Sequence, residues 1–151
     1  MKPLTPHFSQ EELGVAGAER RVIDNATFLC AIVLEPIRQH FQAPVNIHDG
    51  YRPPDHNARV GGKIDSFHLY EGGHAAADFD VNGDKSPTYK QVFDWIKLES
   101  HLPFDKVILE RNATGADATI HIQVDRNAPP RRQAFTGDTG NGQVYTQVEV
   151  K

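Results

Sequence analysis

"FDKVILERNATGADATIHIQVD", residues 104–125, holds two runs rich in β-branched and aliphatic residues, FDKVILE and ATIHIQVD, joined by a connector whose Gly115 and Asp117 suit a hairpin. Adjacent strands joined in this way pair antiparallel. Working outward, "VYTQVEV" (144–150) reads as a further strand after the glycine-rich turn that opens the tail. "AAADFDV" (75–81) alternates small or apolar residues with aspartate, as a strand with one polar face does, and "APVNIH" (43–48) is a short strand candidate. Helices come earlier in the chain. Val22, Ala26, Leu29, Val33, Ile37 and Phe41 recur at helical spacing over about 19–42, with Pro36 expected to kink or divide the helix. "FSQEELG" predicts a short helix with Ser9 as N-cap, Glu12 as its capping-box partner and Gly14 as the stop. Ser86 and Pro87 read as N-cap and first residue of another helix reaching about residue 99. Helices first and a mostly antiparallel sheet later make an α+β fold.

The chain of 151 residues is long enough to bury one core without staples, so a single domain over 1–151 is expected. Net charge of −4 and pI near 6.0 give no footprint for nucleic acid or an anionic membrane. No run approaches the roughly 18 apolar residues of a membrane span, and "MKPLTPHFSQEELG" lacks the apolar core of a signal peptide, so no export signal is expected in the chain itself. The single cysteine, Cys30, lies in an apolar helical stretch and reads as a core residue. A monomer is expected.

Of the eight histidines, His7, His40, His56 and His101 sit in polar or turn-like surroundings and read as surface residues, whereas His48, at a strand end, can be read either way. His68 and His74 flank a glycine-containing loop that leads into the strand bearing Asp78. His121 is the only ionisable group in the apolar strand core TIHIQV. Zinc hydrolases need three protein ligands and one open position for a water, whose pKa the metal lowers to about 7, and two histidines with one carboxylate meet that need. Spacing alone leaves a metal site and a set of structural histidines both open. The HExxH helix and the CxxC pair are absent, which removes the zincin and zinc-ribbon readings.

"GYRPPDHNARVGGKIDSFHLYEGGHAAADF" (50–79) resembles the zinc-binding core of the D-Ala-D-Ala carboxypeptidase and L-alanyl-D-glutamate endopeptidase family of peptidoglycan peptidases, whose signature is GYR-S-P followed by SxHxxGxAxD. "HFSQEEL", "LEPIRQHF", "LPFDKVILE" and "IHIQVDRNAPPRRQAFTG" extend the likeness in the family's order over about residues 7–137, leaving 138–151 as a tail. The resemblance implies the hedgehog/D-Ala-D-Ala-peptidase type of fold, and zinc held by His68, Asp78 and His121. It further implies Glu110 as general base, Arg52 holding the substrate's carboxylate or carbonyl, and Ser66 bracing the site. The implied activity is hydrolysis of an amide in a peptidoglycan stem peptide. An inactive zinc-containing module that binds cell wall or a protein is the alternative, and a metal-free structural or assembly protein a further one.

The stretch from His68 to Asp78 is longer than the family's usual spacing, and His74 stands where a glycine is usual. The expectation is that residues 69–74 bulge over the cleft and that His74 faces the substrate as a hydrogen-bond donor, with replacement of His68 as ligand the other possibility. Asp117 is the reserve candidate for the base.

Overall fold

The computed structural model describes residues 1–83, 85–138 and 144–151. Its frame is a six-stranded sheet in the order β3 (Val45–Asp49), β4 (His74–Val81), β6 (Asp117–Asp125), β5 (Lys106–Arg111), β7 (Gln133–Asp138), β8 (Val144–Val148). Every neighbouring pair is antiparallel except β5 with β7. The expected α+β architecture with a mostly antiparallel sheet is what the chain adopts. A two-stranded ribbon, β1 (Pro3–Thr5) with β2 (Phe8–Ser9), lies outside that sheet.

Alternation sorts the sheet into two faces. Ala75, Ala77, Phe79 and Val81 of β4, with Ile120, Ile122 and Val124 of β6 and Val107 and Leu109 of β5, enter the core. There they join Val22, Ala26 and Leu29 of α1 (Arg20–Leu29) and Val92, Phe93 and Ile96 of α4 (Tyr89–Leu98). Residues of opposite parity, Asp78, His121, Ile108 and Glu110 among them, face away from the helices. The polar face is therefore the only side of the sheet on which these groups can meet.

Pro36 divides the core helix as its chemistry requires. α1 passes through a π-helical turn, Cys30–Leu34, into α2 (Glu35–Phe41), with Pro36 at the start of the second piece, where its missing N–H costs least. Cys30 is buried in that turn, as expected. Two local expectations are corrected. Ser9 and Glu12 do exchange capping-box bonds, Glu12 N to Ser9 Oγ at 3.2 Å and Ser9 N to Glu12 Oε1 at 3.1 Å, yet the segment stays a turn because its backbone is claimed elsewhere: Gln10 N donates to Lys2 O. α4 is capped by Thr88 in a full capping box with Gln91, so it opens two residues later than Ser86 suggests. Pro54–Arg59 forms a short helix, α3, with Pro54 at its start. β7 is also new, since QAFTGD has no clean alternation, and β8 matches the expected tail strand. The glycine-rich turn expected before β8 lies mostly at 139–143, outside the described residues.

Candidate metal centre and active-site cleft

Register places the site. In the β4–β6 ladder Asp78 stands opposite His121, and in the β5–β6 ladder Ile108 stands opposite His121 and Glu110 opposite Thr119. His68 arrives from the other side on a 3₁₀ turn, Phe67–Leu69, whose cap is Ser66: its Oγ accepts from His68 N at 3.2 Å. Ser66 thus braces the turn, as the sequence suggests. Gly50 supplies the seat for the ring. Its carbonyl accepts from His68 Nδ1 at 2.7 Å, and a Cβ there would sit 2.5 Å from Leu13 O, so only glycine lets the two backbones approach.

One ligand atom each from His68, Asp78 and His121 lies within 4.8 Å of the others. Asp78 Oδ1 is 3.0 Å from His121 Nδ1 and 3.4 Å from His68 Nε2. The outer nitrogens of both rings are committed as donors. His68 Nδ1 can only donate to the Gly50 carbonyl. His121 Nε2 faces Gln123 Oε1 at 2.8 Å, and that amide is oriented because its nitrogen donates to the Asp105 carboxylate at 2.7 Å. A neutral His68 and a neutral His121 therefore both point lone pairs at an ionised carboxylate. Three acceptors converging in a buried site demand a cation or added protons between them, and two histidines plus an aspartate at this separation fit a divalent transition metal.

With protons in place of a metal, the same contacts set the charges. Burial alone pushes the Asp78 carboxyl up, but hydrogen bonds from His121 and His68 hold it well below the usual carboxylate range. Burial pulls His121 down, and the bond to Asp78 more than reverses this, leaving it above an ordinary histidine. Glu110 is pushed up, first by burial and then by the Asp78 charge.

These groups line a cleft of about 770 Å³ together with Arg52, Lys106 and Tyr145. Arg52 is held by Asp49 through Nε at 2.6 Å and by Asn57 Oδ1 through Nη1 at 3.1 Å, with its backbone N–H on His68 O at 2.7 Å. All the residues expected around the metal, namely His68, Asp78, His121, Glu110 and Arg52, share this one cleft. Asp117, the reserve base, is exposed at the start of β6 and does not line it.

His74 is placed elsewhere. It begins β4, stacks on Phe67 with ring centroids 3.7 Å apart, lies 3.3 Å from Asp125 and lines a separate shallow depression. The expected bulge over the cleft is corrected with it. Tyr70 turns into the core at φ +52°, its hydroxyl donating to Ala76 O at 2.7 Å, while the buried Asn25 of α1 donates to the carbonyls of Tyr70 and Gly72. The additional residues between His68 and Asp78 are thus spent on anchoring the loop to α1, away from substrate.

Tyr145 and Gln123 were not singled out in the sequence. Tyr145 stands opposite Gly137 on β8, its ring so close that a Cβ on Gly137 would meet Cδ1 at 2.0 Å, and it hydrogen-bonds Glu110. Burial and the Glu110 charge push its phenol up to about 12, so it donates to that carboxylate. Gln123 carries a readable signal, being two residues after His121 on the same strand face.

A polar sheet face with two histidines, one aspartate and a glutamate in a cleft defines a metal-dependent hydrolase-type centre. The family model described as Peptidase M15 matches residues 6–113, and the chain belongs to that family, the D-Ala-D-Ala carboxypeptidase-like metallopeptidases. His121 lies beyond the matched stretch, and its place in the site comes from its register with Asp78. No curated protein matches the chain.

Proposed function

We propose that this protein is a zinc-dependent peptidase that hydrolyses amide bonds in peptidoglycan stem peptides. The observation that carries the reading is the convergence of His68 Nε2, His121 Nδ1 and Asp78 Oδ1 with both outer ring nitrogens already bonded, beside a half-buried Glu110. Zinc in such a site supplies a Lewis acid for the scissile carbonyl and makes water a nucleophile near neutral pH.

The chain's own groups do the rest. Glu110, with its proton affinity raised by burial, takes a proton from the attacking water and returns it to the leaving amine. Tyr145 holds the Glu110 carboxylate by its hydroxyl. Arg52, fixed by Asp49 and Asn57, presents a guanidinium to a carbonyl or carboxylate of the substrate.

Purified peptidoglycan digested with the zinc-loaded protein should release stem-peptide fragments identifiable by mass, with no release after chelation or from Glu110→Gln. Intact peptidoglycan after exhaustive digestion, or release that survives chelation, would sink the reading. The substrate lies in the cell wall, so action there requires delivery to it.

A further inference from the structure

Glu110, Ile108 and Lys106 follow one another along the polar face of β5, and Ile108 is the register partner of His121. Glu110 and Lys106 therefore flank the metal ligands, one pleat to either side, with Cα atoms about 13 Å apart at the strand rise of ~3.3 Å per residue. The proposed reaction uses Glu110 and gives Lys106 nothing to do.

Lys106 nevertheless lines the cleft, its Nζ 5.2 Å from the centroid of the Phe135 ring, and among the described residues it makes no ion pair. Lys63, also in the cleft, likewise makes no ion pair among the described residues, whereas Arg52 and Arg131 are paired. Arg52 has Asp49 at 2.6 Å, and Arg131 has Asp105 at 2.7 and 2.8 Å through two nitrogens. Burial and the neighbouring Arg131 press the Lys106 ammonium below an ordinary lysine, and Lys63 adds to that pressure, opposed only in part by Asp105 and Asp65. A half-buried ammonium that faces a cleft without an ion-pair partner is a poor structural choice for a free protein and a good one for receiving an anion.

We infer that Lys106 is a carboxylate subsite, receiving an acidic group of the peptide substrate on the side of the scissile bond away from Glu110. The assignment rests on the peptidase reading. Lys106 lies two residues, about 6.6 Å, along β5 from the residue that faces His121. The carboxylate it takes is therefore within about two residues of the cleaved amide, since an extended peptide advances ~3.3–3.6 Å per residue. Phe135, the register partner of Ile108 on β7, gives the intervening methylenes an apolar floor.

The test is calorimetric, on zinc-loaded Glu110→Gln with and without Lys106→Gln. The probe is a stem pentapeptide ending in D-Ala-D-Ala, in three forms: both carboxylates free, the D-isoglutamyl carboxylate amidated, and the C-terminal carboxylate amidated. Amidating one of them should weaken binding about tenfold, the low end for a hydrogen bond to a charged group. Lys106→Gln should bind the free peptide that much more weakly and the matching amide with unchanged affinity; which amide behaves so identifies the source of the carboxylate. Equal losses on all three peptides, no loss on any, or no binding at all would overturn the subsite. Hydrolysis by the wild-type protein, run in parallel, separates the two claims: cleavage without carboxylate discrimination removes only the subsite, and discrimination without cleavage removes only the peptidase reading.

Discussion

Gln123 Oε1 accepts the Nε2–H of His121 at 2.8 Å, while its own amide nitrogen donates to the buried Asp105 at 2.7 Å. The Asp105 carboxylate fixes which end of the amide faces the histidine, and the amide in turn fixes which imidazole nitrogen is left to face Asp78. Outer partners of this kind hold a metal-binding ring in one tautomer. Gln123→Ala should lower zinc affinity by about 10–100-fold while leaving the fold intact, read by competition with a chromophoric chelator. Unchanged affinity would show that the strand alone orients His121.

His68→Ala, Asp78→Ala and His121→Ala should each lose stoichiometric zinc and the rise in melting temperature that zinc gives the wild type, because metal binding free energy is partly folding free energy. His74→Ala should keep its zinc, since its ring is engaged with Phe67 and Asp125 outside the cleft. Metal analysis of the four purified variants decides this. Zinc lost from His74→Ala but kept in His68→Ala would reverse the assignment.

How much of this was legible in the sequence depended on whether a local signal existed. The pairing of "FDKVILE" with "ATIHIQVD" was, because period-two patterning and a hairpin connector are local properties. The meeting of Asp78 and His121 was legible only as an expectation from motif order, since register across forty-three residues has no local signature. The role of the stretch after His68 was misjudged for a definite reason. Gly72 and Gly73 suggest freedom, whereas the deciding contacts come from Asn25 on α1, far away in the chain. Tyr145 could not be placed because β7, the strand between it and Glu110, has no alternation to announce it, and Gly137 reads as a turn residue when it is the gap that admits the ring.

Glu110→Gln should retain zinc and melting temperature yet lose at least about a hundredfold in turnover, the lower end for a positioned general base. Single-turnover hydrolysis of the stem peptide is the measurement. Turnover within a fewfold of wild type would assign the proton transfer to another group in the cleft.

The ion pair of Asp105 with Arg131 gives a pH signature for stability. Burial raises the Asp105 carboxyl, but hydrogen bonds from Arg131 and Gln123 lower it by more, so its folded value is depressed. A depressed folded value contributes stability above the ordinary carboxylate pKa of about 3.9, and this is lost as pH falls below that through the folded value. Asp105→Asn in the metal-free protein should therefore cost about 1–3 kcal/mol at pH 7, discounted because Arg131 is half-exposed, and much less at pH 3. Urea midpoints at the two pH values test it, and a gap of the same size at both would mean that packing, not charge, holds the site together.

Tyr145→Phe removes the hydroxyl that donates to Glu110 and leaves the ring over Gly137. A donor to the ionised carboxylate favours the charged form, so its loss should raise the Glu110 pKa further above the ordinary value toward which the bond now draws it. The base works deprotonated, so the acid limb of the kcat/KM profile should move to higher pH, with activity on the alkaline side of that limb much less affected. Gly137→Ala should move the limb in the same direction, since a Cβ 2.0 Å from Cδ1 displaces the ring and with it the hydroxyl. An acid limb that stays in place in both variants, with zinc content and melting temperature preserved, would reduce Tyr145 to a wall of the cleft and leave Glu110 to be positioned by β5 alone.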